Sequence, residues 1–180
     1  MKKMLLIISL LSLSSASYAA GSNFTGNVNL LVGMKSMSDD AWESGGIENH
    51  TEFGILFNLK QERWPVSITA DLLRSSDSNG DLEGTTTELN LGVTKHWQQN
   101  QFTPYVGGGI AIINADISLN SFSDDETELG VWGKAGIFTT LDDGTNLGIE
   151  VRHSYAETDF NGTDVEIGGF HAGFFVGYHW

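Results

Sequence analysis

The chain has 180 residues, no cysteine and a net charge of −14. That leaves room for one modest domain, gives no disulfide framework, and argues against nucleic acid, whose phosphates need a basic face. Its 22 glycines with only 2 prolines fit neither a disordered linker nor a collagen; glycine spread through apparent strands suggests a crowded or tightly curved sheet.

The N-terminus reads as a targeting segment. Lys2 and Lys3 precede an apolar run from Leu5 to Leu13, broken only by serines, and Ser17-Tyr18-Ala19 supplies small residues where signal peptidase reads them. This order predicts a secretory signal peptide over 1–19 and a mature domain over 20–180, with Ala20 or Gly21 as alternative cut points. The apolar run is too short for a membrane helix, which needs about 20 residues.

Period-two alternation then runs through most of the mature chain. Val28, Leu30, Val32 and Met34 alternate with polar or small neighbours, and the pattern repeats near 53–59, 66–72, 89–93, 106–112, 131–137 and 147–155. It is clearest at the end, where Phe170, Ala172, Phe174, Val176, Tyr178 and Trp180 share one face and His171, Phe175 and His179 the other. Connections alternate in length: short near 61–65, 98–101 and 142–145, longer and polar near 38–46, 76–84, 114–127 and 156–164. Asp143-Gly144 suits a tight hairpin turn. The prediction is an all-β fold: an antiparallel up-and-down transmembrane β-barrel of eight strands with short periplasmic turns and longer extracellular loops.

A soluble sandwich would also alternate, with its apolar face as the core. Three features favour lipid instead. Basic residues on the apolar face, Arg74 and Lys95, sit only at strand ends, where they can snorkel. Trp64, Trp97, Phe102, Tyr178 and Trp180 gather at the turn side, and Trp42, Phe122, Tyr155, Phe160 and Phe170 at the loop side, as two aromatic girdles would. The opposite face mixes Lys35, Lys134 and Arg152 with Glu52, Asp71, Glu88 and Glu150, so that an interior charge network can form. Lys134 and Arg152 are expected to pair with carboxylates such as Glu88 and Glu150.

The stretches Pro104-Tyr105-Val106-Gly107-Gly108-Gly109, Leu147 through Tyr155, Gly168 through Gly173 and the terminal Gly177-Tyr178-His179-Trp180 resemble the porin-like outer-membrane β-barrel family, with its opacity-type proteins and small OmpX- and OmpA-type barrels. The resemblance spans the mature chain and implies residence in the bacterial outer membrane. It also implies that the aromatic last strand is read by the barrel-assembly machinery, a role that falls on Phe170, Phe174, Val176, Tyr178 and Trp180. The family usually ends on Phe, where this chain has Trp180.

Reactive chemistry is sparse. Lipid A deacylases of the PagL type place a histidine and a serine two positions apart on one strand face; here His153 and Ser154 are adjacent and point to opposite faces. No cofactor is expected. Three or four converging ligands would make a metal site, and His50, His96, His171 and His179 read instead as interior filling. Asp77 and Asp81 flank a short oxygen-rich loop, and Asp124, Asp125 and Glu126 form an acidic run; both are weak candidates for a divalent cation. The four long loops and their edges carry many carboxylates and no Lys or Arg.

The sequence thus points to a non-enzymatic, monomeric barrel with a structural or surface-interaction role carried by acidic loops. Its expected partners are outer-membrane lipid, lipopolysaccharide, the assembly machinery and divalent cations at the loops. The alternatives are a small-solute porin and a PagL-type deacylase. Bulky inward residues, Leu31, Leu56, Tyr105, Trp132, Phe138 and Phe175, argue against a wide pore.

Overall fold

The computed structural model describes residues 23–38, 42, 44, 46–80, 82–119, 122–160 and 163–180; the segment read as a signal peptide lies outside them. Among these residues ten strands follow in order: β1 (Phe24–Met37), β2 (Asn49–Gln61), β3 (Ser67–Asn79), β4 (Leu82–His96), β5 (Thr103–Leu119), β6 (Phe122–Thr140), β7 (Thr145–Tyr155), β8 (Glu157–Phe160), β9 (Thr163–Glu166) and β10 (Gly169–His179). Eight close a barrel in the order β1-β10-β7-β6-β5-β4-β3-β2, while β8 and β9 form a separate hairpin. Every neighbouring pair is antiparallel. The seam joins β1 to β10 from Asn27↔His179 to Met37↔Gly169. Beyond it, Gly26 and Trp180 exchange both backbone hydrogen bonds at 3.1 Å.

The period-two pattern becomes an inside and an outside. Leu30, Val32, Phe53, Ile110, Val131, Ile149 and Phe174 stand exposed around the barrel, while Leu31, Leu56, Tyr105 and Phe175 are buried within it. A greasy exterior of this extent is tolerable only where lipid replaces water.

The structure corrects the sequence reading at four places. The stretch 76–84, read as a loop, is mostly strand, with β3 running to Asn79 and β4 starting at Leu82. The stretch 114–127, read as a loop, continues β5 to Leu119 and starts β6 at Phe122. Above the membrane both faces of a strand meet water, so alternation fades although pairing continues; the Asn114 amide still donates across to the Glu126 carbonyl at 3.2 Å. The stretch 156–164, also read as a loop, contains most of the β8–β9 hairpin. Trp42, assigned to the loop-side girdle, is buried instead, and its indole N–H donates to the Glu166 carbonyl at 3.1 Å. It stands in a connection, where strand alternation says nothing about direction.

The interior is layered. At the loop end Trp42, Ile47 and Ile167 pack with Met37, Ile113 and Trp132 into an apolar plug. Towards the turns Leu31, Leu56, Leu73, Tyr105 and Phe175, joined by Phe138, form a second apolar tier. The buried charges lie among and between them, Asp71 beside Leu56 and the Lys134–Arg152 pair against Trp132. Glycines make the bulky inward residues fit: a Cβ on Gly136 would meet the Tyr105 hydroxyl and the Ile149 carbonyl, and one on Gly148 would meet the Phe138 and Phe175 side chains.

Candidate functional site

The most chemically loaded region is the barrel interior. All seven charged residues assigned inward by alternation, Lys35, Glu52, Asp71, Glu88, Lys134, Glu150 and Arg152, are buried. They assemble into two groups. In the first, Lys134 and Arg152 face each other across the β6–β7 ladder, an unfavourable arrangement for like charges. Asp71, reaching across from β3, relieves it by accepting from Lys134 at 2.7 Å and from Arg152 at 2.5 Å. Glu150 bridges the same two cations at 3.2 and 2.7 Å and also accepts the Tyr105 hydroxyl at 2.7 Å. Trp132 lies against both cations, its ring 5.0 Å from the Arg152 guanidinium and 5.5 Å from the Lys134 ammonium. Cation–π attraction strengthens in such a desolvated setting.

The second group lies closer to the loops. The Lys35 ammonium donates to Glu88 at 2.7 Å, to the Thr86 hydroxyl at 3.0 Å and to the Ile167 carbonyl at 3.1 Å. All three of its protons are therefore used. The expected pairing of Glu88 with Lys134 or Arg152 is corrected here: Glu88 belongs to Lys35, and Asp71 takes its place beside the other two cations. Strand register fixes neighbours in the sheet but not which side chains meet across the lumen, and these ion pairs cross it.

One arrangement could not be read from spacing. Ser154 on β7 lies 3.0 Å from His171 Nε2, and His171 Nδ1 lies 2.6 Å from Glu52 on β2. The three types and contacts are those of a nucleophile, base and orienting carboxylate. All three side chains are buried beneath the loop-end plug. Ser154 also donates its hydroxyl proton to Glu88 at 3.1 Å, and the ring links Glu52 to Ser154 and so to the Lys35–Glu88 pair. Sequence reasoning missed it because Ser154 and His171 come from different strands.

Among the described residues no group of three or more His, Asp or Glu side chains is placed to hold a metal ion. Asp77 is occupied locally, accepting from the Ser78 N–H at 2.8 Å. Asp81 and the side chains of Asp124 and Asp125 lie outside the described residues, while the Glu126 carbonyl is engaged by Asn114. His50 is held by the Ile47 carbonyl at 2.9 Å. On the last strand Phe170, Phe174, Val176 and Tyr178 face outward and exposed, and Trp180 is half-buried against Phe57, ring centroids 6.0 Å apart.

A closed antiparallel barrel of eight strands, apolar outside and charged within, defines an outer-membrane barrel of the smallest class. The chain belongs to the outer membrane protein beta-barrel domain family, whose profile matches residues 5–180. No curated protein matches it by sequence. Among solved structures it is similar to Neisserial surface protein A, with 12% identity, TM-score 0.65, and coverage of 87% of this chain and 97% of that one. It is similar to OprG of Pseudomonas aeruginosa, with 12% identity, TM-score 0.60 and coverage of 87% and 95%. A third is Ail, the attachment invasion locus protein of Yersinia pestis, solved in complex with the heparin analogue sucrose octasulfate, with 12% identity, TM-score 0.54 and coverage of 88% and 99%. At such identities the likeness is one of fold. Together with the family assignment, it places the protein in the bacterial outer membrane.

Proposed function

We propose that this protein is a non-enzymatic outer-membrane barrel whose role, structural or in surface interaction, is carried by its loop end. The observation behind this reading is the closure of the interior. Two apolar tiers bracket the buried ion pairs, so the lumen offers neither a wide aqueous path nor access to Ser154. Planar-bilayer recording of the refolded protein should show no discrete conductance steps. Lipid A from an overexpressing strain should keep its acyl chains by mass spectrometry; acyl loss abolished by Ser154→Ala would make the protein an enzyme. A small-solute transport role is the second reading, favoured by a cavity of about 520 Å³ at the turn end, and regular conductance steps would establish it.

The partner is read from charge. Ail carries a polyanion analogue in its structure, whereas the long loops here bear carboxylates without Lys or Arg. The complementary partners are cations: divalent ions that bridge to lipopolysaccharide, or a basic surface. Calcium titration followed by NMR should show a saturable change in the loop signals below about 1 mM. Converting Asp124, Asp125 and Glu126 to amides should weaken it, and an identical response would remove these residues from the interaction.

A further inference from the structure

The two apolar tiers leave the barrel's turn end as a separate compartment. There a cavity of about 520 Å³ opens between the ends of the strands, within the size range of small-molecule sites. Its inward end is the Leu31–Leu56–Tyr105–Phe138–Phe175 tier. Among the described residues the space that continues into that tier, between Leu56, Tyr105, Phe138 and Phe175, is about 10 Å³, too little for anything larger than a water. The mouth is a cul-de-sac facing the periplasm.

Its electrostatics run against the rest of the molecule. The protein carries a net charge of −14, yet the ionisable side chains lining the mouth are Lys60, His96 and His179, with no side-chain carboxylate. The Lys60 ammonium makes no hydrogen bond or ion pair among the described residues. The buried carboxylates Asp71 and Glu150 do not line the cavity and are engaged by Lys134 and Arg152. An ammonium in a recess with low-dielectric walls attracts anions more strongly than the same group on open surface.

The neutral groups are arranged for a ligand. His179 is tethered through Nδ1 to Asn27 at 2.9 Å and His96 through Nδ1 to Ser67 at 3.3 Å. Each ring thereby keeps its Nε2 for another partner. The Asn58 carbonyl oxygen accepts from Thr69 at 2.7 Å, leaving the amide N–H groups of Asn58 to donate. At the base, His96 lies against Tyr105 and Phe138 with ring centroids 5.6 and 5.9 Å apart. Aromatic rings below, amides and hydroxyls on the walls and one cation suit a body with both apolar C–H faces and hydroxyls, bearing one anionic group.

We propose that the periplasmic mouth of the barrel is a binding site for a small hydroxyl-rich anion, in the class of a sugar acid or sugar phosphate, with Lys60 as the anion-reading residue. A cation is disfavoured by the lack of side-chain carboxylates among the lining residues, and an apolar molecule by the polar walls. The blocked base makes this a site of binding and release through one opening.

The test uses the full barrel refolded in phospholipid nanodiscs, with glucuronate and glucose 6-phosphate as probes and glucose and inorganic phosphate as controls. Saturable NMR shifts at Lys60, His96 and His179 are expected, with a Kd of about 1 mM or tighter for the charged sugars and at least about tenfold weaker for each control. Lys60→Gln should weaken charged-sugar binding about tenfold and leave glucose binding and heat-modifiable gel mobility unchanged. Absence of saturation for both charged sugars up to about 50 mM overturns the proposal. So does equal binding of inorganic phosphate, which would reduce the site to general anion attraction, or an unaltered affinity in Lys60→Gln. Channel activity does not enter these readouts, so the outcome is independent of whether the barrel conducts.

Discussion

Asp71 is the residue on which most of the interior depends. It is fully buried and is the carboxylate from across the lumen that separates the like charges of Lys134 and Arg152. Converting it to Asn keeps the volume and removes the charge, leaving two cations against Glu150 alone. Removing one partner of a buried ion pair costs about 3–5 kcal/mol, and Asp71→Asn should lower the stability of the vesicle-inserted barrel by that order in urea unfolding. Glu88→Gln should act independently, because its partner Lys35 belongs to the other group. Gly136 offers a steric counterpart. A methyl there would press on the Tyr105 hydroxyl that Glu150 holds, and overpacking of a tight interior costs about 1–3 kcal/mol. Gly136→Ala should therefore destabilise by that amount, and unchanged urea midpoints would show that the interior yields more readily than its contacts imply.

The elements at the turn end show how local chemistry fixes register. Between β6 and β7 the chain turns through Gly144, whose φ of 87° suits glycine. Asp143 accepts the Thr145 N–H at 2.9 Å, and this bond holds its carboxyl below the usual carboxylate range. A carboxyl depressed in the folded state adds stability above its unfolded value of about 3.9. That stability is lost as the pH falls through the lower folded value. An NMR pH titration should place the Asp143 midpoint below that of a free aspartate, and a midpoint at the ordinary value would show that the turn is not held by this bond. At the same end, just past β7's partner strand β10, Trp180 covers Phe57 and pairs with Gly26. Deleting it should reduce the folded fraction in the outer membrane, read by heat-modifiable gel mobility. Such pairings were legible in part. Alternation assigned the inward and outward faces of the strands, because lipid outside and packed polar groups inside impose a strict period of two. It could not reveal the Asp71–Arg152 and Lys35–Glu88 contacts, since cross-lumen partners leave no trace in sequence spacing. Nor could it place Trp42, or follow β5 and β6 beyond the bilayer, where the force that creates the pattern ends.

At the scale of the whole molecule, the barrel is sealed at two levels and open at neither centre. Trp42 closes the loop end together with Ile47 and Ile167, all three from connections between strands. Trp42→Ala should leave the barrel intact while admitting water to the Lys35–Glu88 layer. Faster amide hydrogen exchange near Lys35 and Glu88, with unchanged exchange at Leu56 and Tyr105, would show it. Equal exchange everywhere would mean that Ile47 and Ile167 suffice as the seal.

The unequal lengths of the strands have a consequence for what can reach this protein from outside. A 17-residue β5 is about 56 Å long at 3.3 Å per residue, whereas the 11-residue β7 and β10 reach about 36 Å. With strands tilted by about 40° and an apolar band of about 25 Å, β7 and β10 by themselves barely clear the membrane, and the chain between them continues into the separate β8–β9 hairpin. β5 and β6 instead rise as one unbroken ladder from Thr103↔Phe138 to Leu119↔Phe122. In a leaflet crowded with saccharide chains, that ladder is a wall anchored in the barrel below it. Shortening it by a few residue pairs would lower the wall toward the sugar layer without touching the barrel that holds it.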